Sequence, residues 1–139
     1  MTHTNSTTPC PGCLAKFNAY PNFYLPLQQW FFSIQSKYPD FHIAEAGRGK
    51  IEQELYYARG VSNAQYGQSA HNWNCAIDTF FQDNGHYSVD ASRYKDIFQS
   101  LDSSVKWYGA PDAVFKETPH FEWASWRDLR DDETLKLVE

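Results

Sequence analysis

The segment Ser69-Ala70-His71-Asn72-Trp73-Asn74-Cys75-Ala76-Ile77-Asp78 places a histidine and an aspartate seven residues apart, and a second segment, Glu117-Thr118-Pro119-His120-Phe121-Glu122-Trp123, supplies another histidine. Together His71, Asp78 and His120 offer two imidazoles and one carboxylate to a single ion. Catalytic zinc takes three protein ligands and keeps a fourth position for water. Zinc lowers the pKa of such a water to about 7, which makes it a nucleophile near neutral pH. The two segments therefore predict a centre that holds one zinc ion.

The overall composition restricts the partners of the chain. Its 139 residues suit one domain with a real core, and its net charge of −5 without any basic run argues against nucleic-acid binding. No apolar run approaches the roughly 20 residues of a membrane span. The first residues have neither the basic end nor the apolar centre of a secretory signal. We expect a monomer that is made in the cytoplasm, does not bind membranes and reaches any other compartment by another route.

The N-terminal part, residues 1–24, is rich in Thr, Pro, Asn and Gly without periodicity, which predicts an irregular extension before a domain over residues 25–139. Within it, Cys10-Pro11-Gly12-Cys13 has the spacing of half a zinc site, but no second pair follows. A structural zinc would need His3 or ligands that the sequence does not identify. Two thiols or one local disulfide is the favoured interpretation. His42 and His86 lie outside any motif and are read as ordinary histidines.

Hydrophobic periodicity predicts an α+β domain with a small sheet and about three helices. Apolar residues recur at helical spacing after Leu25 until Pro39, and two further helices are expected over residues 50–59 and 91–103. In the helix over residues 50–59, Ile51, Leu55 and Ala58 share one side. Alternating or β-branched segments predict short strands over residues 41–45, 75–81, 105–108 and 120–123.

These motifs resemble those of a known family. The chain is similar to the zinc D,D-carboxypeptidases, D,D-dipeptidases and L-alanyl-D-glutamate endopeptidases, which cut bacterial cell-wall peptides and share the hedgehog/DD-peptidase fold. The family's Ser-x-His-x-x-Gly-x-Ala-x-Asp motif is matched by Ser69, His71, Ala76 and Asp78, with Asn74 in place of the glycine. Its acidic-x-x-His-Phe-Glu motif is matched by Glu117, His120, Phe121 and Glu122. The resemblance covers residues 27–123 and includes the spacing of Arg48 and Gln53.

The resemblance implies roles for the charged residues. His71, Asp78 and His120 would bind zinc, and Glu117 would act as general base and acid. Glu122 lies on the same face of its strand as His120, so it would orient that imidazole or form a structural charge pair.

Three further residues are candidates for substrate contact. Arg48, with Arg59 as the alternative, would stabilise the developing oxyanion or bind a substrate carboxylate. Ser69 would bind the substrate backbone or cap a loop. Trp73, Trp107 and Trp123 are candidates for the cleft wall, of which one, Trp123, is chosen as a substrate contact, and Cys75 is not expected to be a nucleophile.

We therefore expect a zinc metallopeptidase of peptidoglycan stem peptides, of the L-alanyl-D-glutamate endopeptidase type found among phage endolysins. Such an enzyme acts on the cell wall after its release. If a phage encodes it, the expected location is the cytoplasm or the periplasm of the host. The alternatives are a D,D-carboxypeptidase or dipeptidase of the same family, and a non-catalytic binding module that keeps the zinc. Glu117 favours an enzyme, because a binding module has no need of that carboxylate. A zinc nuclease conflicts with the acidic charge.

Overall fold

A computed structural model describes residues 10–83, 85–99, 101, 103–110 and 117–139. Its helices are α1 (Pro11–Asn18), α2 (Leu25–Gln35), α3 (Lys50–Ala58), α4 (Ala91–Gln99) and α5 (Trp126–Asp131), with a 3₁₀ helix over Ala70–Trp73. Its strands are β1 (Phe41–Glu45), β2 (Ala76–Asp83), β3 (His86–Ser88), β4 (Val105–Trp107) and β5 (His120–Trp123). The α+β class is confirmed. Within the described ranges, no helix is long and apolar enough to cross a bilayer.

All strand pairs of the sheet are antiparallel. The order is β1-β2-β5-β4, and β3 pairs with β2 off this path. The central pair, β2 and β5, carries parts of both sequence motifs. Its register sets Asp78 opposite His120 and Ile77 opposite Phe121. Because side chains alternate between faces, the first pair faces one side of the sheet and the second faces the other.

The core on the Phe121 side of the sheet is aromatic. Phe41 lies between the rings of Phe31 and Phe81, with centroids 5.2 and 5.1 Å away, and Tyr94 packs edge-on against Phe81 at 5.0 Å. Pairs of this kind contribute about 0.5–1.5 kcal/mol each beyond their burial. This core supports β2 and β5 from behind and leaves the polar face of the sheet for the site.

The prediction that residues 1–24 are irregular is wrong over Pro11–Asn18, which forms α1. Pro11 at the first helical position is preset for a helix start. Cys13 and Phe17, one turn apart, are both buried in the core, and Phe17 contacts the ring of Phe23 at 4.9 Å. Two apolar positions in an eight-residue helix are too few for a periodic signal. Residues 1–9, including His3, lie outside the described part of the chain.

Helix α3 forms where predicted, but its buried side is not the apolar one. Ile51 is 76% exposed and Leu55 45% exposed, whereas Gln53 is fully buried. Gln53 donates to the carbonyl oxygen of Ala64 at 2.6 Å and to the hydroxyl of Ser62 at 3.0 Å. Hydrogen bonds, rather than apolar burial, thus orient this helix toward the site.

Candidate metal centre

Three donor atoms from separate elements converge on one point. His71 comes from the 3₁₀ helix, Asp78 from β2 and His120 from β5. The Oδ1 atom of Asp78 lies 3.3 Å from Nε2 of His71 and 3.1 Å from Nδ1 of His120. Tetrahedral zinc with ordinary Zn–N and Zn–O bonds separates such donors by about 3.3 Å. The predicted ligand set is therefore brought together at a spacing that suits zinc.

His71 supplies a second observation that fits a metal. Its side chain is buried, and Nδ1 lies 3.4 Å from the carbonyl oxygen of Ala46. Its Nε2 atom makes no hydrogen bond within the described residues, although Asp78 Oδ1 is near. A buried polar atom without a partner costs free energy. A cation at Nε2 would remove that cost.

The turn after the 3₁₀ helix depends on Asn74. This residue has φ 59° and ψ 37°, the left-handed conformation expected where the related motif has glycine. Its amide donates to the carbonyl oxygen of Lys136 at 2.9 Å, which ties the turn to the C-terminal segment. The turn directs the chain from His71 into β2.

A hydrogen-bond network orients His120. Its Nε2 atom lies 2.8 Å from Oε1 of Glu122, whose other oxygen accepts from Tyr108 Oη at 3.0 Å and from Trp126 Nε1 at 2.8 Å. Burial opposes protonation of His120, but hydrogen bonds to Asp78 and Glu122 outweigh it and raise the pKa of the imidazole to about 10. The two carboxylate contacts therefore favour the protonated form of His120. The Nδ1 proton must leave before a cation binds there.

Arg48 is not exposed, and its guanidinium makes polar contacts with three side chains. Nη2 lies 2.5 Å from Oε1 of Glu45 and 3.4 Å from Oδ2 of Asp78, and Nη1 donates to Oε1 of Gln53 at 3.1 Å. Burial opposes ionisation of Asp78, but the neighbouring histidines, His71 first, hold the pKa of its carboxyl well below the usual value. The contact with Arg48 is made by Oδ2 of Asp78, whereas the two imidazoles lie near Oδ1. Arg59, the alternative, is exposed at the end of α3.

A cavity of about 680 Å³ adjoins the three predicted ligands, and two further motif residues border it. The hydroxyl of Ser69 accepts a hydrogen bond from the backbone N–H of His71 at 3.2 Å, so it caps the 3₁₀ helix. The side chain of Glu117 is exposed, while its carbonyl oxygen accepts from the N–H of His120 at 3.0 Å. This backbone contact fixes Glu117 one turn away from a predicted ligand.

The aromatic residues at the cavity are not the predicted ones. Trp123 does not line it, because β5 alternates and turns Trp123 away from the face that carries His120 and Glu122. Its ring instead packs edge-on against Tyr24 at 5.3 Å. The aromatic side chains that line the cavity are Tyr56, Tyr87, Tyr108 and Trp126. Only the tertiary structure brings these four side chains together at the cavity.

Cys75 lies outside the centre. Its side chain is fully buried in a small cluster with Ala76, Trp126 and Leu135. Burial, helped by the nearby Glu122 charge, raises the pKa of the thiol to about 12. A neutral, buried thiol is a poor nucleophile, as the sequence indicated.

No protein-family model matches the chain. The fold is similar to the crystal structure of the L-Ala D-Glu endopeptidase ChiX of Serratia marcescens, with a TM-score of 0.64 and 20% sequence identity. The match covers 84% of this chain and 88% of the Serratia chain. At the level of the fold, this confirms the resemblance to L-alanyl-D-glutamate endopeptidases.

Proposed function

We propose that this protein is a zinc-dependent peptidase that hydrolyses the stem peptides of bacterial peptidoglycan, as an endopeptidase of the L-alanyl-D-glutamate type. The observation that carries the proposal is the convergence of His71, Asp78 and His120 beside a cavity that Glu117 borders. The fold similarity to an endopeptidase named for this bond favours it over a carboxypeptidase. A phage lysis enzyme is the biological setting we infer.

In this proposal His71, Asp78 and His120 hold the zinc ion, which when bound would polarise the scissile carbonyl and acidify a water. Arg48 helps to orient Asp78 through its 3.4 Å contact with Oδ2. Glu122 accepts a hydrogen bond from the Nε2–H group of His120. Nδ1 is therefore the nitrogen available to the metal. These two residues position ligands and need not touch substrate.

Glu117 is the proposed general base. Its exposed side chain borders the cavity, and the hydrogen bond to the N–H of His120 holds the main chain of Glu117 beside that ligand. It would accept a proton from the attacking water and return it to the leaving nitrogen of the cleaved peptide. Position and chemistry agree with the role that the resemblance implies.

The cavity also suits an anionic peptide. Arg127 lines it, with its guanidinium 4.6 Å from the ring centroid of Trp126. Stem peptides that contain D-glutamate carry a free carboxylate next to the bond in question. Arg127 is the cation that we infer would meet it, since the donors of Arg48 already contact Glu45, Gln53 and Asp78.

The test is digestion of purified peptidoglycan, with mass spectrometry of the released peptides. Wild-type protein should release fragments cut after L-alanine, and Glu117→Gln should lower the rate about 100-fold or more while its zinc content stays unchanged. Glu54→Gln, an exposed change on α3 away from the cavity, is the matched control. Release of free D-alanine alone would identify a carboxypeptidase instead. Zinc binding without any cleavage would identify a binding module.

A further inference from the structure

We propose a second metal site, distinct from the candidate metal centre, in which Cys10, Cys13 and His42 bind a zinc ion. The sequence shows only the two cysteines, because His42 follows them by about thirty residues. The fold closes that gap. Cys10 and Cys13 begin α1, and His42 lies on β1, against which α1 packs.

The distances are those of shared coordination. The Sγ atoms of Cys10 and Cys13 each lie 3.6 Å from Nδ1 of His42. With Zn–S bonds of about 2.3 Å and Zn–N bonds of about 2.0–2.1 Å, a tetrahedral ion separates sulfur from nitrogen by about 3.6 Å. The imidazole lone pair can accept a hydrogen bond from one thiol at a time. Two equal distances to the same nitrogen are therefore better explained by one cation between all three atoms.

Burial and the neighbouring Cys10 raise the pKa of the Cys13 thiol, but two hydrogen-bond donors act in the opposite direction and would support a thiolate bound to a cation. The backbone N–H of Ile43 and the side-chain amide of Gln35 both donate to Sγ of Cys13, each at 3.5 Å. The start of α1 adds the partial positive charge of a helix N-terminus. Gln35 also accepts from the backbone N–H of Cys10 at 3.2 Å, so one side chain supports both cysteines. Hydrogen-bond donors around the ligand sulfurs are characteristic of structural zinc sites.

Charge and chemistry favour zinc over harder cations. Two thiolates and a neutral imidazole form a soft donor set, for which magnesium and calcium have little affinity. With a divalent ion the site has no net charge, which suits a buried Cys13 and a half-buried Cys10 and His42. Burial lowers the pKa of His42, which favours the neutral, ligating imidazole. The fourth coordination position is left for water or a further ligand.

A zinc ion at this site would cross-link α1 to the edge strand β1. β1 ends at Glu45, whose carboxylate binds Arg48 at the candidate metal centre. Zinc that binds only the folded chain stabilises it in proportion to the logarithm of its concentration. We therefore expect the N-terminal helix to be held to the sheet by metal as well as by the burial of Cys13 and Phe17.

The test uses full-length protein, reduced with a phosphine and freed of metal, and titrated with cobalt(II) as the spectroscopic probe. Thiolate ligands give cobalt an intense near-ultraviolet charge-transfer band, which the thiol-free set of His71, Asp78 and His120 cannot produce. Wild-type protein should show this band. The Cys10→Ser/Cys13→Ser double variant should lose it and bind one zinc ion fewer per chain. Cys75→Ala, which removes the remaining thiol, should keep the band unchanged.

A second set of measurements starts from wild-type protein. Zinc added to wild-type protein should protect Cys10 and Cys13 from alkylation, mapped by mass spectrometry, and should raise the unfolding temperature more than it does in the double variant. His42→Asn should weaken cobalt binding in the charge-transfer assay. The proposal is overturned if reduced wild-type protein gives no thiolate band, or if the band survives loss of both N-terminal cysteines. None of these readouts depends on peptidase activity, so they separate this proposal from the proposed function.

Discussion

His120 and Glu122, two residues apart on β5, face the same side of the sheet and are joined by a 2.8 Å contact between Nε2 and Oε1. The same carboxylate accepts hydrogen bonds from Tyr108 and Trp126, so its orientation is fixed from two other directions. Glu122 therefore determines which nitrogen of His120 is available at the candidate metal centre.

Glu122→Gln should weaken zinc binding about 10–100-fold, because the neutral amide is a poorer acceptor for the His120 N–H and holds the ring less firmly. Zinc affinity is measured by competition with a chromogenic chelator. Circular dichroism should show that the fold persists, since glutamine has nearly the same shape. The exposed Glu54→Gln serves as control. A folded Glu122→Gln protein with wild-type zinc affinity would show that Glu122 has only a structural role.

Removal of the Arg48 guanidinium should cost stability, because Glu45 and Asp78 would then share a partly buried region without their common cation. Arg48→Met is expected to lower the free energy of unfolding of the metal-free protein by about 3 kcal/mol. Arg48→Lys should lower it by less, since lysine keeps the charge but not the fork of donors. Urea denaturation measures both. Arg59→Met, an exposed substitution, should change the free energy of unfolding by less than about 0.5 kcal/mol. Equal losses of stability at the two arginines would contradict the expectation.

Position 74 allows a matched pair of substitutions. Both Asn74→Ala and Asn74→Gly lose the hydrogen bond to the carbonyl oxygen of Lys136. Alanine must in addition adopt the left-handed conformation at φ 59°, which costs about 1–2 kcal/mol. We expect Asn74→Ala to be the less stable of the two by roughly that difference in thermal or urea unfolding. If alanine were as stable as glycine there, backbone conformation would not be the reason for asparagine.

The three thiols should differ sharply in reactivity in the metal-free protein. Cys10 is half-buried, whereas Cys75 is fully buried and has a pKa of about 12. Because the thiolate is the reactive form, Cys75 should remain unmodified by iodoacetamide at pH 8 and still at pH 10, while Cys10 is alkylated. Peptide mass mapping after timed exposure measures this. In guanidinium all three should react, and rapid labelling of native Cys75 would refute its burial.

Much of the fold follows from local patterns. Helix α2, strand β1 and strand β5 form close to where hydrophobic spacing predicts them, because each buries a face that its own sequence defines. Helix α1 and strand β3 are too short to produce such a signal, and α3 is held by the polar contacts of Gln53 rather than by its apolar side. Local periodicity therefore identifies an element only when apolar burial is what stabilises it.

By itself, the sequence determined the α+β class, because the main elements carry their own hydrophobic period, and its two motifs predicted the three residues that the fold brings together at the candidate metal centre. It also placed Asn74 at the position where the related motif has glycine. Only the tertiary structure decided that Arg48 contacts Asp78, that Trp123 faces away from the cavity, and that His42 meets Cys10 and Cys13. Those contacts join residues far apart in the chain, so they arise from the packing of whole elements against one another and not from any local pattern.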